Sequence, residues 1–200
     1  MFYEPRAGHG LPFDPFKAIV APRPIGWISS LDGEGRVNLA PYSFFNAVST
    51  RPPIVAFSSE GMKDSSSNIA QTGEFVASLA TWDLREAMNR TSARLERGRN
   101  EFAFAGLEQA PSRLVKPPRV AASPAAFECR LIRVIHLTDA AGRPTDNHLV
   151  LGEVVGVHID ERFIRDGRFD TALAKPIARC GYRDYAVVES LFEMVRPDGG

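Results

Sequence analysis

The sequence predicts a mainly β protein, an antiparallel barrel with helices packed around its outside. Segments rich in Val, Ile and Phe outnumber the helical patterns. They mostly follow one another with no helix between, which argues against a parallel, doubly wound sheet. Proline is in excess, 15 in 200 residues, against a usual frequency of about 5%. It clusters at Pro22/Pro24, Pro52/Pro53 and Pro117/Pro118, beside those same segments. Because proline brings no N–H to a ladder, such positions mark strand starts, edges and bulges. No repeat, low-complexity tract or like-charge block divides the chain, so residues 1–200 read as a single domain.

The segment Lys17 to Ser30 is apolar apart from Arg23. Asp32, Gly33 and Gly35 then supply turn chemistry before Val37 resumes an extended pattern, which predicts two strands joined by a short turn. Ile54 to Ser58 follows the diproline as a third strand. Asp64 to Gly73 has cap residues in front and a glycine suited to a left-handed C-terminal position behind, so a short helix is expected. Phe75 to Leu79 alternates as a strand. From Asp83 to Leu95, residues Leu84, Ala87, Met88, Thr91 and Leu95 form the stripe of an amphipathic helix. Arg99 to Arg119 is irregular, with Phe102, Phe104 and Leu107 as isolated anchors, and predicts a connector with one helical turn. Ala125 to Thr138 and Leu149 to Ile159 are long β-rich runs separated by Gly142 and Pro144, an expected antiparallel pair.

Charge and motif content narrow the function. Lys+Arg and Asp+Glu both number 24, so no basic excess exists to neutralise nucleic-acid phosphates or an anionic membrane. Apolar runs fall short of the ~20 residues of a membrane span, and the charged, Pro- and Gly-containing N-terminus does not resemble a secretion signal. Cys129 and Cys180 are too few for a disulfide framework or a four-thiolate zinc site, so a cytoplasmic location is expected. Phosphate-loop, zinc-protease, C-x-x-C and nucleophile-elbow motifs are absent, and Gly33-Glu34-Gly35 reads as a hairpin turn. The four histidines, His9, His136, His148 and His158, are too scattered to argue for a metal site. His136 and His158 are expected to play structural parts.

Two constellations carry chemistry. In Ser58-Ser59-Glu60-Gly61-Met62-Lys63-Asp64-Ser65 a strand ends and hydroxyls with one lysine arrive at a helix start. Free N–H groups, Ser59, Ser65 and the Lys63 ammonium there would suit a phosphate monoester; a capped surface helix with a solvated lysine is the alternative. In Pro41-Tyr42-Ser43-Phe44-Phe45-Asn46-Ala47-Val48-Ser49 aromatics stand beside Ser and Asn in extended chain, a surface for a planar heteroaromatic ligand or part of a barrel core. Arg23 and Ser29, set in an otherwise apolar segment, add a weaker polar signal.

Taken together, these segments resemble the flavin reductase-like family, the FMN-binding split-barrel proteins that include flavoredoxin. The resemblance rests on Ala21-Pro-Arg-Pro-Ile-Gly-Trp-Ile-Ser29, on Asn38-Leu-Ala-Pro-Tyr-Ser-Phe-Phe-Asn46 followed by Pro52-Pro53, and on Lys63-Asp-Ser65 with Asn68. Leu151-Gly-Glu-Val154 and Arg179-Cys-Gly-Tyr182 complete it. It implies a six-stranded antiparallel split barrel that forms a homodimer and binds FMN at or near the interface. By the same resemblance Ser43, Phe44, Asn46 and Ala47 would line the flavin ring, with Trp27, Ile28 and Ser29 on the neighbouring strand. Ser59, Lys63, Ser65 and Asn68 would hold the phosphate end, Arg179 and Tyr182 would reach in from the C-terminal segment, and His148 would stand beside flavin or nicotinamide. Asn147 precedes that histidine where relatives often carry Asp. The activity implied is hydride transfer from NADH or NADPH to flavin, chemistry that the cofactors carry and that needs no nucleophile or metal. The alternatives are an FMN electron carrier serving a redox-partner protein, with little nicotinamide activity of its own, and a barrel that has lost flavin and acts as an interaction module.

Overall fold

A computed structural model of the chain describes residues 1–197. In chain order its elements are α1 (Phe16–Ile19), β1 (Arg23–Pro24), β2 (Gly26–Leu31), β3 (Val37–Tyr42), β4 (Phe45–Thr50), β5 (Pro53–Glu60), α2 (Asp64–Thr72) and β6 (Glu74–Leu79). There follow α3 (Arg85–Arg90), α4 (Glu101–Ala105), β7 (Gln109–Ala110), β8 (Arg119–Val120), β9 (Ala125–Thr138) and β10 (Pro144–Ile159). The chain ends with β11 (Ile164–Arg165), β12 (Arg168–Phe169), α5 (Thr171–Ala174), β13 (Ile177–Arg179) and β14 (Tyr185–Val187).

The main sheet has seven strands in the order β3-β2-β6-β9-β10-β5-β4, one more than the six expected, and every pairing is antiparallel. Its two edges, β3 and β4, are consecutive in the chain and joined only by Ser43 and Phe44. Tyr42 and Phe45 therefore lie within about 11 Å, the reach of so short a connection. A flat sheet of this width would hold them nearly 30 Å apart at ~4.8 Å per strand, so the sheet has to roll. The edge strands are not hydrogen-bonded neighbours, and side chains close the gap. Tyr42 packs on Phe57 with ring centroids 4.6 Å apart. The Phe45 ring fills the space over Gly26, its Cδ2 only 2.4 Å from where a Cβ would stand. The result is a split antiparallel barrel.

Period-2 alternation sorts the side chains into two cores. Ile28, Val55, Phe57, Phe75, Cys129 and Val150 fill the barrel, and α2 adds Ile69 to them. Trp27 and Leu39 face the other way and pack with Met88, Phe102, Val120 and Ile177 beneath α3, α4 and β13. The predicted α2 is present, and Gly73 ends it at φ 76°. The turn at Gly33-Glu34-Gly35 joins β2 to β3, with Asp32 accepting from the N–H groups of Glu34 and Arg36.

Two expectations fail, one for a local reason and one for a long-range one. Lys17 to Val20 is not strand: the Asp14 carboxylate accepts from Phe16 N at 2.9 Å and starts a single helical turn, α1. The helix expected over Asp83–Leu95 spans only Arg85–Arg90. The Thr91 hydroxyl donates to Met88 O and accepts from the Trp27 indole, which pins the chain where the helix would have continued.

Candidate functional site

The pleat that points Phe57 and Val150 into the barrel points Ala56, Ser58, Leu149 and Leu151 out of it. With Asn46 and Val48 of β4 these residues floor a groove of about 780 Å³. Ile19 to Pro24 forms its wall, and Ser43 and Phe44 its head. Phe44 keeps 40% of its surface exposed while its carbonyl accepts from Ser58 N at 2.9 Å, so a fixed stretch of main chain presents an aromatic ring to solvent. The Asn46 carboxamide oxygen accepts from Ala47 N at 2.9 Å, which leaves its NH₂ free to face a ligand.

Arg23 is the hinge of the site. It is 7% exposed and donates to the carbonyls of Lys17, Val20 and Cys180, drawing α1, its own loop and the C-terminal segment together. Its Cζ lies 5.6 Å from the Phe44 ring centroid, and its Nε is buried without a partner. Strand β1 pairs with β13 so that Arg23 stands opposite Arg179. That register brings Arg179, Cys180, Tyr182 and Tyr185 to a second cavity of about 310 Å³, which shares Arg23, Ser43 and Phe44 with the groove. Arg179 donates to Tyr182 O, and its Cζ sits 4.5 Å from the Tyr185 ring.

Ser43, Phe44, Asn46, Arg179 and Tyr182 thus converge as expected, with Ala47 adjoining them on β4. Other expected residues do not reach the groove. Trp27, Ile28 and Ser29 are fully buried because β2 lies between β3 and β6 with both faces covered. Trp27 donates to Thr91 Oγ1 at 2.9 Å, Ser29 donates to Pro118 O, and Ile28 is barrel core. His148 lies on the Val150 face of β10, opposite the groove face of Leu149 and Leu151. Its ring stacks on His136 at 4.4 Å, and its Nδ1 is buried without a hydrogen bond.

The residues expected around the phosphate divide likewise. Ser59, Ser65 and Asn68 are buried and turned inward. Asn38 donates to Ser65 Oγ at 2.7 Å, Ser59 donates to Gly61 O at 2.9 Å, and Asn68 donates to Ser30 Oγ at 3.3 Å. Tyr42 joins this network, and burial pushes its phenol pKa up despite the hydroxyls of Ser65 and Ser59. Lys63 is exposed at the N-terminus of α2, where first-turn N–H groups lack helical acceptors. The site also contains residues to which the motifs assigned no ligand contact: Ser58, Leu149 and Leu151, which period-2 alternation would have placed on one face, and Arg23, whose charge in an apolar segment was its signal.

Seven strands rolled into a split barrel, with an aromatic and arginine-lined groove on the outer face, match a known class. The chain belongs to the family of the flavin reductase like domain, whose model matches residues 20–172. It is 38% identical over 192 residues to an uncharacterized protein of Deinococcus radiodurans, covering 90% of this chain and 82% of that one. Among solved structures it is similar to nitrilotriacetate monooxygenase component B from Bacillus cereus, with TM-score 0.88, 31% identity and coverage of 97% and 98% of the two chains. Flavoredoxin of Desulfovibrio vulgaris shares the fold at TM-score 0.80 and 21% identity, each chain covered in full at 100%.

Proposed function

We propose that this protein is an FMN-binding oxidoreductase that passes hydride from NADH or NADPH to flavin. The observation that carries this is the groove itself: an exposed Phe44 face beside Ser43, the free Asn46 amide and a buried arginine Nε with no partner. These residues fit a planar, hydrogen-bonding ring better than an aliphatic or peptide ligand. Bound FMN would supply the hydride-accepting ring. Ser43, Phe44 and Asn46 would orient it against the β4–β5–β10 face, Ala47 would flank it, and Arg179 and Tyr182 would close the far side and exclude water. Lys63 and the first-turn amides of α2 would hold the phosphate. Ser59, Ser65 and Asn68 would support that turn from within, as Trp27, Ile28 and Ser29 support β2. His148, facing away, takes no part in contact with the ring. A homodimer is part of the proposal, because Val48, Ile132, Val157 and Ile159 are 56%, 48%, 56% and 43% exposed on β4, β9 and β10. Light scattering tests it. Cys129 and Cys180 are both free thiols, which suits a reducing cytoplasm.

The test is direct. Purified protein titrated with FMN should quench flavin fluorescence, and anaerobic NADH or NADPH should bleach the bound flavin. Absence of any flavin binding would overturn the proposal. Binding with indifference to both nicotinamides would assign the protein instead to electron carriage between redox partners. Lys63→Ala should weaken FMN about tenfold, the order of one exposed charge-assisted contact, while riboflavin affinity stays unchanged. An equal loss for both would show that Lys63 serves the fold.

A further inference from the structure

Beside the two cavities of the flavin site lies a third, of about 500 Å³, under α3 and the β13–β14 hairpin. Arg85, Arg179 and Arg183 line it against a single carboxylate, Glu86, in a chain whose net charge is zero. Two of the guanidinium groups are already held in place. Arg85 lies over the Trp82 ring with Cζ 3.9 Å from the centroid and donates to Trp82 O at 2.8 Å. Arg179 is fixed by Tyr182 O and the Tyr185 ring. Glu86 approaches Arg85 Nε only to 3.7 Å, an exposed ion pair of little strength. Most guanidinium N–H groups are therefore left for a ligand, on side chains whose orientation has already been restricted.

This cavity adjoins the flavin site, since Met88, Asn89, Arg179 and Tyr185 line both it and the cavity behind Phe44. A ligand filling both would have one end at the flavin ring and a negatively charged end among the arginines, beside exposed aromatic rings. We infer that the arginine-lined cavity binds the adenosine-phosphate end of the nicotinamide dinucleotide, with Arg85 and Arg183 contacting its phosphates. Planar guanidinium groups suit phosphate oxygens, which they can engage in pairs. The inference rests on the reductase reading for the ligand's identity and on the cavity's own charge for its chemistry.

The experiment is calorimetric titration of the FMN-loaded protein, and of the flavin-free protein, with ADP, alongside steady-state kinetics. Arg85→Gln/Arg183→Gln should weaken ADP about tenfold and raise KM for the nicotinamide by a similar factor, with kcat and FMN affinity unchanged. Glu86→Gln, which removes the opposing carboxylate, should tighten ADP about threefold. Unaltered ADP binding in both variants, or no ADP binding to the wild type, would overturn the inference. Loss of FMN affinity with riboflavin affinity kept would overturn it too, by giving the arginines to the flavin phosphate. Should the wild type fail to oxidise either nicotinamide, the reductase reading falls, while the ADP titration still decides whether the cavity binds a nucleotide.

Discussion

Arg23 ties α1, its own loop and the C-terminal segment together, and its removal shows what a buried donor is worth. Arg23→Met keeps the aliphatic bulk but leaves the carbonyls of Lys17, Val20 and Cys180 without their donor. Each orphaned acceptor costs about 1–3 kcal/mol, less than additively when the segments can relax into water. A loss of about 2–4 kcal/mol in urea denaturation is expected, together with weakened FMN binding as the groove wall loosens. Glu128 is a second such residue, only 1% exposed. Burial opposes its ionisation, but the N–H groups of Arg113, Leu114 and Val115 and the His158 ring outweigh it, holding the pKa at about 2 against an ordinary 4.5. With the folded value depressed, the stabilisation is complete above pH 4.5 and is lost as pH falls towards 2, on the order of 3 kcal/mol in all. Denaturation curves across that range should show this slope, and Glu128→Gln should flatten it. Neither role is visible in the sequence, where Glu128 is one polar position in an alternating strand and its partners come from a loop of irregular composition.

Elements whose signals are local matched the sequence. Helix α2 has its stop written in Gly73, whose left-handed φ of 76° a side chain would strain, and Gly73→Ala should cost about 1 kcal/mol by thermal denaturation. The β2–β3 turn and the β9–β10 pair likewise follow from neighbouring residues. The stripe from Leu84 to Thr91 correctly marks a buried face, yet α3 is short because Thr91 serves Trp27, distant in sequence. Gly152 belongs to the same class of cause. It sits in β10 where a Cβ would come within 2.3 Å of the Phe75 ring, so Gly152→Ala should destabilise by about 1–3 kcal/mol or more through overpacking. Nothing near Gly152 in the chain announces Phe75.

At the scale of the molecule, the proposed ligand touches both the main sheet and the small β1–β13–β14 sheet, so binding ties them together. FMN at a hundred times its dissociation constant should raise the unfolding free energy by about 2.7 kcal/mol, and a thermal shift that tracks FMN concentration would report it. Strand periodicity, the turns, helix α2 and the family-like segments that contain Ser43, Phe44, Asn46, Lys63, Arg179 and Tyr182 are legible in the residues themselves, because these depend on neighbours within a few residues. Which of the motif residues line the groove follows from long-range packing alone. Rolling the sheet buries both faces of β2 and takes Trp27, Ile28 and Ser29 out of reach. The end of β5 turns Ser59 inward and the first turns of α2 do the same for Ser65 and Asn68, and the β10 pleat sends His148 to the face opposite the groove. The pairing of β1 with β13 brings Arg179 opposite Arg23. These outcomes depend on closing the sheet across long stretches of sequence, where burial and register, rather than local propensity, select the arrangement.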